Sequence, residues 1–265
     1  MKITHIYIYP IKSLGGISLS ACKAEAAGFE YDRRWMLVDG SGRFLSQRSH
    51  HGMALLQSEL TGDTLKVFHK QCQTLEFEFG LSQTSGKKLM VRIWDDTLEA
   101  DLVSPDADGW FSEVLGFNAR LVAFPKSGTT RKIGKKYRVD DGQVSFADSM
   151  PYLLIGQASL DDLNTRLEKK IGMDRFRPNL VFSSDMPFIE DDWSGLKIGE
   201  VTFRVSKPCA RCVMTTIDQK TGKKGKEPLR SLSTYRKTHD KILFGQNLIA
   251  MDAGTVSVGD QLVST

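Results

Sequence analysis

The chain has 265 residues, 40% hydrophobic and 26% charged, as in an ordinary globular protein that holds two modest domains or one large one. Its 36 Lys and Arg residues against 32 Asp and Glu give a net charge of +4, which permits an anionic ligand without requiring one. No segment approaches the ~18 apolar residues of a transmembrane helix, and the N-terminus lacks the apolar run and cleavage site of a signal peptide. We therefore expect a cytoplasmic protein without a membrane partner, and the four cysteines suit that reducing compartment.

The first strand and the turn after it hold the first candidate site residues. Ile3 to Tyr9 is apolar on both faces and ends at Pro10, as in a buried strand closed by a turn. Lys12 and Ser13 in that turn offer a charge and a hydroxyl of the kind that holds phosphate, and the glycines after them allow close backbone approach. The ordinary alternative is a hairpin with an exposed lysine.

The next predicted strand runs from Asp32 to Asp39, with Phe44 to Arg48 returning as its hairpin partner. Arg33 at its start has the usual alternative of a surface ion pair with Asp32. Alternating segments between residues 53 and 103 then predict several short strands of an antiparallel sheet or barrel.

A short helix is predicted from Pro105 to Phe117, started by Ser104. We place a domain boundary just after it, near Val122, which divides the chain into 1–122 and 123–265. The fold class expected from these elements is mainly β with short helices.

In the second half, a polar loop containing Asp148 and Ser149 precedes a strand, and a capping box of Ser159 and Asp162 predicts a helix through Lys170. Arg177 precedes a proline, which disfavours helical backbone, so we expect it to project from the start of an extended strand. A further short helix should begin at Glu227 and Pro228, and a strand should contain Asn247.

Cys209 and Cys212 lie between two alternating segments, Val201 to Ser206 and Val213 to Asp218, which predict strands on either side of Pro208. Neighbouring Arg211 would favour a thiolate. A redox pair would need a helix after the first cysteine, and we expect none here. A zinc site would need a second pair of ligands, which the other cysteines and the five histidines do not supply at a suitable spacing. Ligation of a soft metal by one cysteine, or simple packing of both, remains open.

The segment Pro-Cys-Ala-Arg-Cys-Val-Met-Thr-Thr-Ile-Asp from Pro208, with Tyr-Pro-Ile-Lys-Ser from Tyr9, Asp-Arg-Arg-Trp from Asp32 and Phe-Arg-Pro-Asn from Phe176, resembles the MOSC domain of the molybdenum cofactor sulfurase C-terminal family. Within it the sequence is similar to the branch of amidoxime-reducing components. The resemblance covers nearly the whole chain. It implies an N-terminal β-rich MOSC domain packed against a MOSC β-barrel domain, with the cofactor in the cleft between them.

The resemblance also implies the site residues. Cys212 would be the catalytic residue and the protein ligand to molybdenum, while Cys209 would not be a ligand. The residues expected to contact the molybdenum cofactor are Lys12, Ser13, Arg33, Asp148, Ser149, Arg177, Ala210, Arg211 and Asn247. A second hydroxyl in relatives is replaced here by Met150, and Gln47-Arg48 resembles a further motif to which we assign no role.

The activity implied is reduction of N-hydroxylated compounds, namely amidoximes and hydroxylamines. A carrier of the cofactor, or a sulfur-handling binding protein, is the alternative from another class. A pyridoxal phosphate site is the third, because Lys12 could form a Schiff base.

Electrons would have to come from a separate protein. The chain has no ferredoxin-type cysteine pattern and no nucleotide-binding glycine motif. We expect a flavin or iron–sulfur reductase with an acidic face, which would meet the basic clusters at residues 126–138 and 220–226. Without interleaved aromatic residues, these clusters do not predict a nucleic-acid partner.

Overall fold

The computed structural model describes residues 1–125, 131–139 and 141–265. Within them, many short strands and three short α-helices form a mainly β protein, which confirms the predicted fold class. The α-helices are α1 (Pro105–Leu115), α2 (Gln157–Thr165) and α3 (Leu229–Ser233). The strands are β1 (Lys2–Ile8), β2 (Ile17–Leu19), β3 (Ala21–Glu25), β4 (Gly28–Phe29), β5 (Trp35–Val38), β6 (Leu56–Thr61), β7 (Thr64–His69), β8 (Cys72–Gly80), β9 (Lys88–Ile93), β10 (Asp96–Leu102), β11 (Arg120–Ala123), β12 (Arg131–Lys132), β13 (Gln143–Val144), β14 (Tyr152–Gly156), β15 (Leu180–Ser183), β16 (Gly195–Ile198), β17 (Val201–Ala210), β18 (Lys237–Thr238), β19 (Lys241–Ala250), β20 (Gly254–Ser257) and β21 (Leu262–Ser264).

The largest sheet joins the two ends of the chain. Its strand order is β2-β1-β15-β14-β19-β17-β16-β21, with β18 paired to β19. Its inner face packs a cluster of fully buried aromatic and aliphatic side chains, among them Ile6, Tyr152, Phe182 and Phe203. Each such side chain stabilises the fold by about 2 kcal/mol when removed from water. The N-terminal strand is therefore part of the same core as the second half, and the boundary near Val122 stays a prediction.

The first half adds two smaller sheets, β6-β7-β8 and β5-β11-β10-β9. They confirm the strands predicted between residues 53 and 103. Helix α1 packs Ala107 and Phe111 into a core with Trp35 and Phe79. The predicted hairpin at Phe44 to Arg48 is confirmed only at its start, where Val38 and Phe44 form an antiparallel bridge and the Leu45 N–H donates to the Leu37 carbonyl at 2.8 Å. The longer partner of β5 is β11.

Helix α1 starts as predicted, since the Ser104 side chain accepts a hydrogen bond from the Ala107 N–H. Helix α2 differs from the prediction at both ends, because it begins at Gln157 and ends at Thr165. Ser159 is not its cap: the Ser159 hydroxyl donates to the buried carboxylate of Glu190, which also accepts from the Gly156 N–H. A carboxylate distant in sequence thus replaces the local capping box.

The strand before the cysteines runs further than predicted. β17 continues through Pro208 to Ala210, and its pairing with β19 shifts register on both sides of the proline. Bulges of this kind accommodate a residue that cannot donate to the ladder.

The predicted strand after Cys212 is wrong, because Val213–Thr216 forms one turn of 3-10 helix. The hydroxyl of Thr215 donates to the Cys212 carbonyl and that of Thr216 to the Val213 carbonyl, at 3.0 and 2.7 Å. Such local hydroxyl–carbonyl bonds compete with strand pairing. Across the described residues, no helix has the length and apolar character needed to cross a membrane.

Candidate functional site

One edge of the large sheet gathers segments that are far apart in sequence. β1 is antiparallel to β15, and β14 is parallel to β15, so the end of β1 and the starts of β14 and β15 lie at the same edge. β19 and the bulged end of β17 continue this edge, because Asn247 lies opposite both Leu153 and Lys207. The loops leaving these strands therefore meet in one place.

A cavity of about 610 Å³ opens among these loops. Every site residue named from the sequence lines it, which is a geometric finding and not a test of what they bind: Lys12, Ser13, Arg33, Asp148, Ser149, Arg177, Ala210, Arg211, Cys212 and Asn247. Met150, which stands where relatives were expected to have a hydroxyl, also lines it.

Asp148 ties two cations together at the cavity wall. Lys12 Nζ contacts Asp148 Oδ1 and donates to the Phe146 carbonyl at 2.8 Å, while Arg48 Nη2 donates to Asp148 Oδ2 at 2.5 Å. Burial lowers the pKa of Lys12 to about 8 against the opposing pull of Asp148. Desolvation would raise the pKa of Asp148, but the two cations hold it well below its usual range.

Two further guanidinium groups contact the buried ring of Tyr9. Arg33 and Arg177 lie 4.4 and 4.1 Å from its centroid, close enough for cation–π attraction. Arg33 Nη1 also donates to Asp32 Oδ2 at 2.6 Å. Arg177 donates to the Leu14 carbonyl at 2.5 Å, and burial lowers its pKa to about 10. The buried Asp32 carboxylate thus pairs with the half-buried Arg33, while Arg177 is buried.

The extended backbone predicted for Arg177 is wrong, because its φ is +55°. Its N–H donates to the Met173 carbonyl at 3.3 Å, which closes a turn and aims the guanidinium back toward Leu14. Ser13 and Arg33 also have left-handed φ angles, of 68° and 51°. Such backbone strain of about 1–3 kcal/mol per residue clusters at functional sites.

The two cysteines have different neighbours. Cys209 is half-buried, packs against the cluster around Phe176 and Phe244, and accepts a hydrogen bond from Arg211 Nη1 at 2.9 Å. Cys212 faces Arg48 instead. Burial lowers the pKa of Arg48, but Asp148 and Cys212 outweigh it and hold that pKa above its usual value. Arg211, the cation expected beside a thiol, therefore contacts Cys209.

Among the described residues, no group of three or more His, Cys, Asp or Glu side chains is arranged to hold a metal ion.

Several functional positions escaped the sequence reasoning. Arg48 and Tyr9 both lie in motifs noted from the sequence, but neither was assigned a role, although Arg48 pairs with Asp148 and the Tyr9 ring contacts two guanidinium groups. Asn179 links the same loops, since its side chain accepts from Arg33 at 3.1 Å and donates to the Tyr7 carbonyl at 3.1 Å. Arg48 and Asn179 both lie in motifs that had been matched, and that match was the available signal.

Comparison with known proteins matches the two halves of the chain to two domain families. The family model described as the MOSC N-terminal beta barrel domain matches residues 1–118, and that of the MOSC domain matches residues 141–263. Mitochondrial amidoxime-reducing component 1 of Mus musculus is 32% identical, over 97% of this chain and 80% of its own. Mitochondrial amidoxime reducing component 2 of Rattus norvegicus is 33% identical, over 97% and 81%. Molybdenum cofactor sulfurase of Oryza sativa subsp. japonica is 32% identical over 92% of this chain, but only 32% of that protein is covered.

Proposed function

Because the chain belongs to the MOSC family, with a MOSC N-terminal beta barrel domain before the MOSC domain, we propose that it is a molybdenum cofactor-dependent reductase of N-hydroxylated compounds. Two of the similar proteins are named for amidoxime reduction, and the similarity to them spans nearly the whole chain. The reaction would convert R–NH–OH, two electrons and two protons to R–NH₂ and water. Both relatives are named as mitochondrial proteins, and a cytoplasmic location for this chain stays a prediction.

The observation that carries this proposal is the surplus of positive charge in the cavity. Eight Lys and Arg side chains line it against two carboxylates, those of Asp148 and Asp240. Arg48 Nη1 and Arg211 Nε are buried without a hydrogen-bond partner among the described residues. Buried donors without partners destabilise a protein by about 1–3 kcal/mol each, so this cavity is built for an anion with several acceptors. The phosphate of a pterin cofactor fits that description.

The donor set also fits the metal of that cofactor. Cys212 lines the cavity beside Arg48, and a thiolate is the ligand type that suits a soft, redox-active metal. We assign Cys212 as the protein ligand. When bound, the cofactor would supply the two-electron chemistry that removes oxygen from the N–OH group.

The chain's own residues would bind and orient. Lys12, Ser13, Arg33, Arg177 and Arg211 would hold the phosphate and pterin. Asp148 would fix the positions of Lys12 Nζ and Arg48, and Ser149, Ala210 and Asn247 would line the remaining wall. At neutral pH, Lys12 Nζ keeps its proton, because its pKa of about 8 lies above that pH.

The test uses protein produced in a host that makes the cofactor, with molybdenum and pterin quantified. Reduced methyl viologen would supply electrons, benzamidoxime would be the substrate, and benzamidine would be measured. We expect many turnovers for each bound molybdenum. A single stoichiometric turnover, or bound cofactor with no turnover, would replace this proposal with the carrier function.

The pyridoxal phosphate alternative has one observation in its favour, the lowered pKa of Lys12. Against it, Lys12 Nζ is already held by Phe146 and Asp148, and both contacts would have to break before a Schiff base forms. Incubation with pyridoxal phosphate followed by borohydride and mass spectrometry decides the matter. We expect no adduct on Lys12.

A further inference from the structure

A second concavity, of about 950 Å³, adjoins the first one, with which it shares two lining residues. We call it the basic groove. It is bordered by residues 166–174, which follow α2, and by the loop that follows the 3-10 turn of Val213–Thr216. Eleven Lys and Arg side chains line it against four Asp and Glu. Neither the family models nor the names of the relatives assign it a role.

Most of this charge is exposed and uncompensated. Six lysines on the groove are solvent-exposed and form no ion pair within the part of the chain that the structure describes: Lys169, Lys170, Lys220, Lys223, Lys224 and Lys226. The lysine at the floor differs, since Lys70 Nζ is satisfied by the carbonyls of Ala54 and Gln219 at 2.7 and 2.8 Å. These six lysines therefore place uncompensated positive charge on the solvent-exposed part of the basic groove.

Only a thin wall separates the basic groove from the candidate cofactor cavity. Arg175 and Arg177 line both concavities. Arg175 is fixed in this wall by hydrogen bonds to the carbonyls of Thr215 and Glu227, at 2.7 and 3.1 Å. A redox partner seated in the groove would thus lie one side chain away from the proposed cofactor, and electron transfer becomes rapidly slower with distance.

We propose that the basic groove is the docking surface for the electron donor, a small acidic flavin or iron–sulfur protein. This inference rests on the proposed reductase function. Each turnover breaks one N–O bond and consumes two electrons and two protons, with the oxygen leaving as water. A one-electron donor, oxidised by one electron at each encounter, must therefore dock twice per turnover. Exposed charges that steer encounter without tight binding suit such short-lived electron-transfer complexes.

A nucleic acid is the other polyanion that such charge could attract. Proteins that bind single-stranded nucleic acid usually offer exposed aromatic side chains on which bases stack. The aromatic side chains among the described lining residues are Tyr7 and Tyr9, and Tyr9 is buried beside Arg177. The observations therefore favour an acidic protein.

The other basic cluster predicted as a docking surface, at residues 126–138, carries less free charge where it can be described. Residues 126–130 lie outside the described residues, which leaves Arg131 to Arg138. Arg131 is buried and pairs with Asp96 at 2.8 Å, and Lys132 pairs with Asp141 at 3.0 Å. Lys135, Lys136 and Arg138 form no ion pair among the described residues, against six such lysines on the basic groove. We therefore assign docking to the basic groove, where more unpaired charge is gathered.

The experiment compares two donors on the cofactor-loaded protein. One is a reduced acidic ferredoxin or flavodoxin, and the other is reduced methyl viologen. The groove variants are Lys223→Glu/Lys224→Glu and Lys169→Glu/Lys170→Glu. The matched control is Lys2→Glu/Lys87→Glu, which reverses two exposed charges outside the groove.

We expect each groove variant to lose about tenfold or more in kcat/KM for the protein donor, since steering by local charge changes association rates by 10-fold or more. The control should keep wild-type rates, and viologen-driven turnover should not fall in any variant. Rising ionic strength should lower the kcat/KM of the wild type for the protein donor. It should also reduce the difference in kcat/KM between the wild type and the groove variants.

Equal losses in the groove and control variants would overturn the groove assignment, and so would no loss in either. Binding of a single-stranded RNA that the groove variants abolish, with donor kinetics unchanged, would overturn it in favour of nucleic acid. Absent viologen-driven turnover in the wild type would instead overturn the proposed function, and the donor role with it.

Discussion

Arg211 donates from Nη1 to Cys209 Sγ at 2.9 Å, so its guanidinium engages the first cysteine of the pair and not the second. Its Nη2 donates to the Phe176 carbonyl at 2.5 Å, which fixes this orientation. Cys209 is thereby tied into the hydrophobic cluster behind the strand, while Cys212 is left beside Arg48 in the cavity. The two thiols of one short motif therefore have different surroundings.

This difference predicts separable effects of two single substitutions. Cys212→Ala should lose bound molybdenum and turnover, because it removes the proposed protein ligand. Cys209→Ala should keep the metal and lower the free energy of unfolding by about 1 kcal/mol, through lost packing and one lost hydrogen bond to a charged group. Molybdenum content, turnover and urea denaturation measure all three quantities. Loss of metal in Cys209→Ala with retention in Cys212→Ala would reverse the assignment.

Substitution of Arg48, to which the sequence analysis assigned no role, should weaken cofactor binding. It carries a buried Nη1 without a partner in the described part of the chain and anchors Asp148 through Nη2. Arg48→Met should weaken cofactor retention by about tenfold or more, since hydrogen bonds to charged groups contribute about 1.5–3 kcal/mol. Arg48→Lys should recover only part of it, because a lysine lacks the guanidinium fork.

The matched control is Arg43→Met, at an exposed arginine outside the cavity. Pterin fluorescence released from equal amounts of purified protein gives the retention. Equal retention in Arg48→Met and Arg43→Met would show that Arg48 does not contact the cofactor.

The predictable part of the site was the identity of its residues, and the unpredictable part was their local geometry. Short motifs named ten positions that the fold brings to one cavity. The left-handed backbone of Arg177 did not follow from the proline after it, because a turn closed by Met173 overrides the dipeptide preference. Local hydrogen bonds of this kind decide such cases.

The same limit explains the errors around the cysteines. Alternation after Cys212 predicted a strand, but threonine hydroxyls stabilise a 3-10 turn there instead. Alternation before it was interpreted correctly, yet the strand passes through Pro208 because the bulges in its pairing with β19 tolerate the missing N–H.

The contacts of Arg33 and Arg177 with the Tyr9 ring predict a graded effect on stability. Tyr9→Phe keeps the ring that both guanidinium groups contact and loses only the hydroxyl, which donates to the Pro178 carbonyl at 3.1 Å. It should lower the free energy of unfolding by about 1 kcal/mol. Tyr9→Leu also loses both cation–π contacts and leaves a cavity, and should lower it by about 3 kcal/mol. Urea denaturation of the apo-protein at 25 °C distinguishes the two, and equal losses would mean that the cation–π contacts add nothing.

Lys12 predicts a particular dependence of stability on pH. Its pKa is lowered from 10.5 to about 8 in the folded protein, where burial opposes the charge. Between these values the unfolded chain holds a proton on Lys12 that the folded chain has released, so the free energy of unfolding must rise with pH across this window. Below pH 8 both states are protonated and Lys12 contributes no slope. The side chain is only 6% exposed, so solvent screening is slight, and the gain over the whole window is about 3 kcal/mol at most.

The reference is Lys12→Met, which cannot titrate, and in which Asp148 keeps Arg48 as its partner. Urea denaturation of both apo-proteins from pH 7 to pH 10.5 cancels the tyrosines and every other group that they share. We expect the difference in the free energy of unfolding, wild type minus Lys12→Met, to be flat up to pH 8 and then to increase. In the loaded protein the same deprotonation removes a positive charge from the cavity, so wild-type cofactor retention should fall over the same window. Parallel stability curves for the two proteins would mean that Lys12 is not perturbed by burial, and its assigned role as a buried cation beside Asp148 would then be wrong.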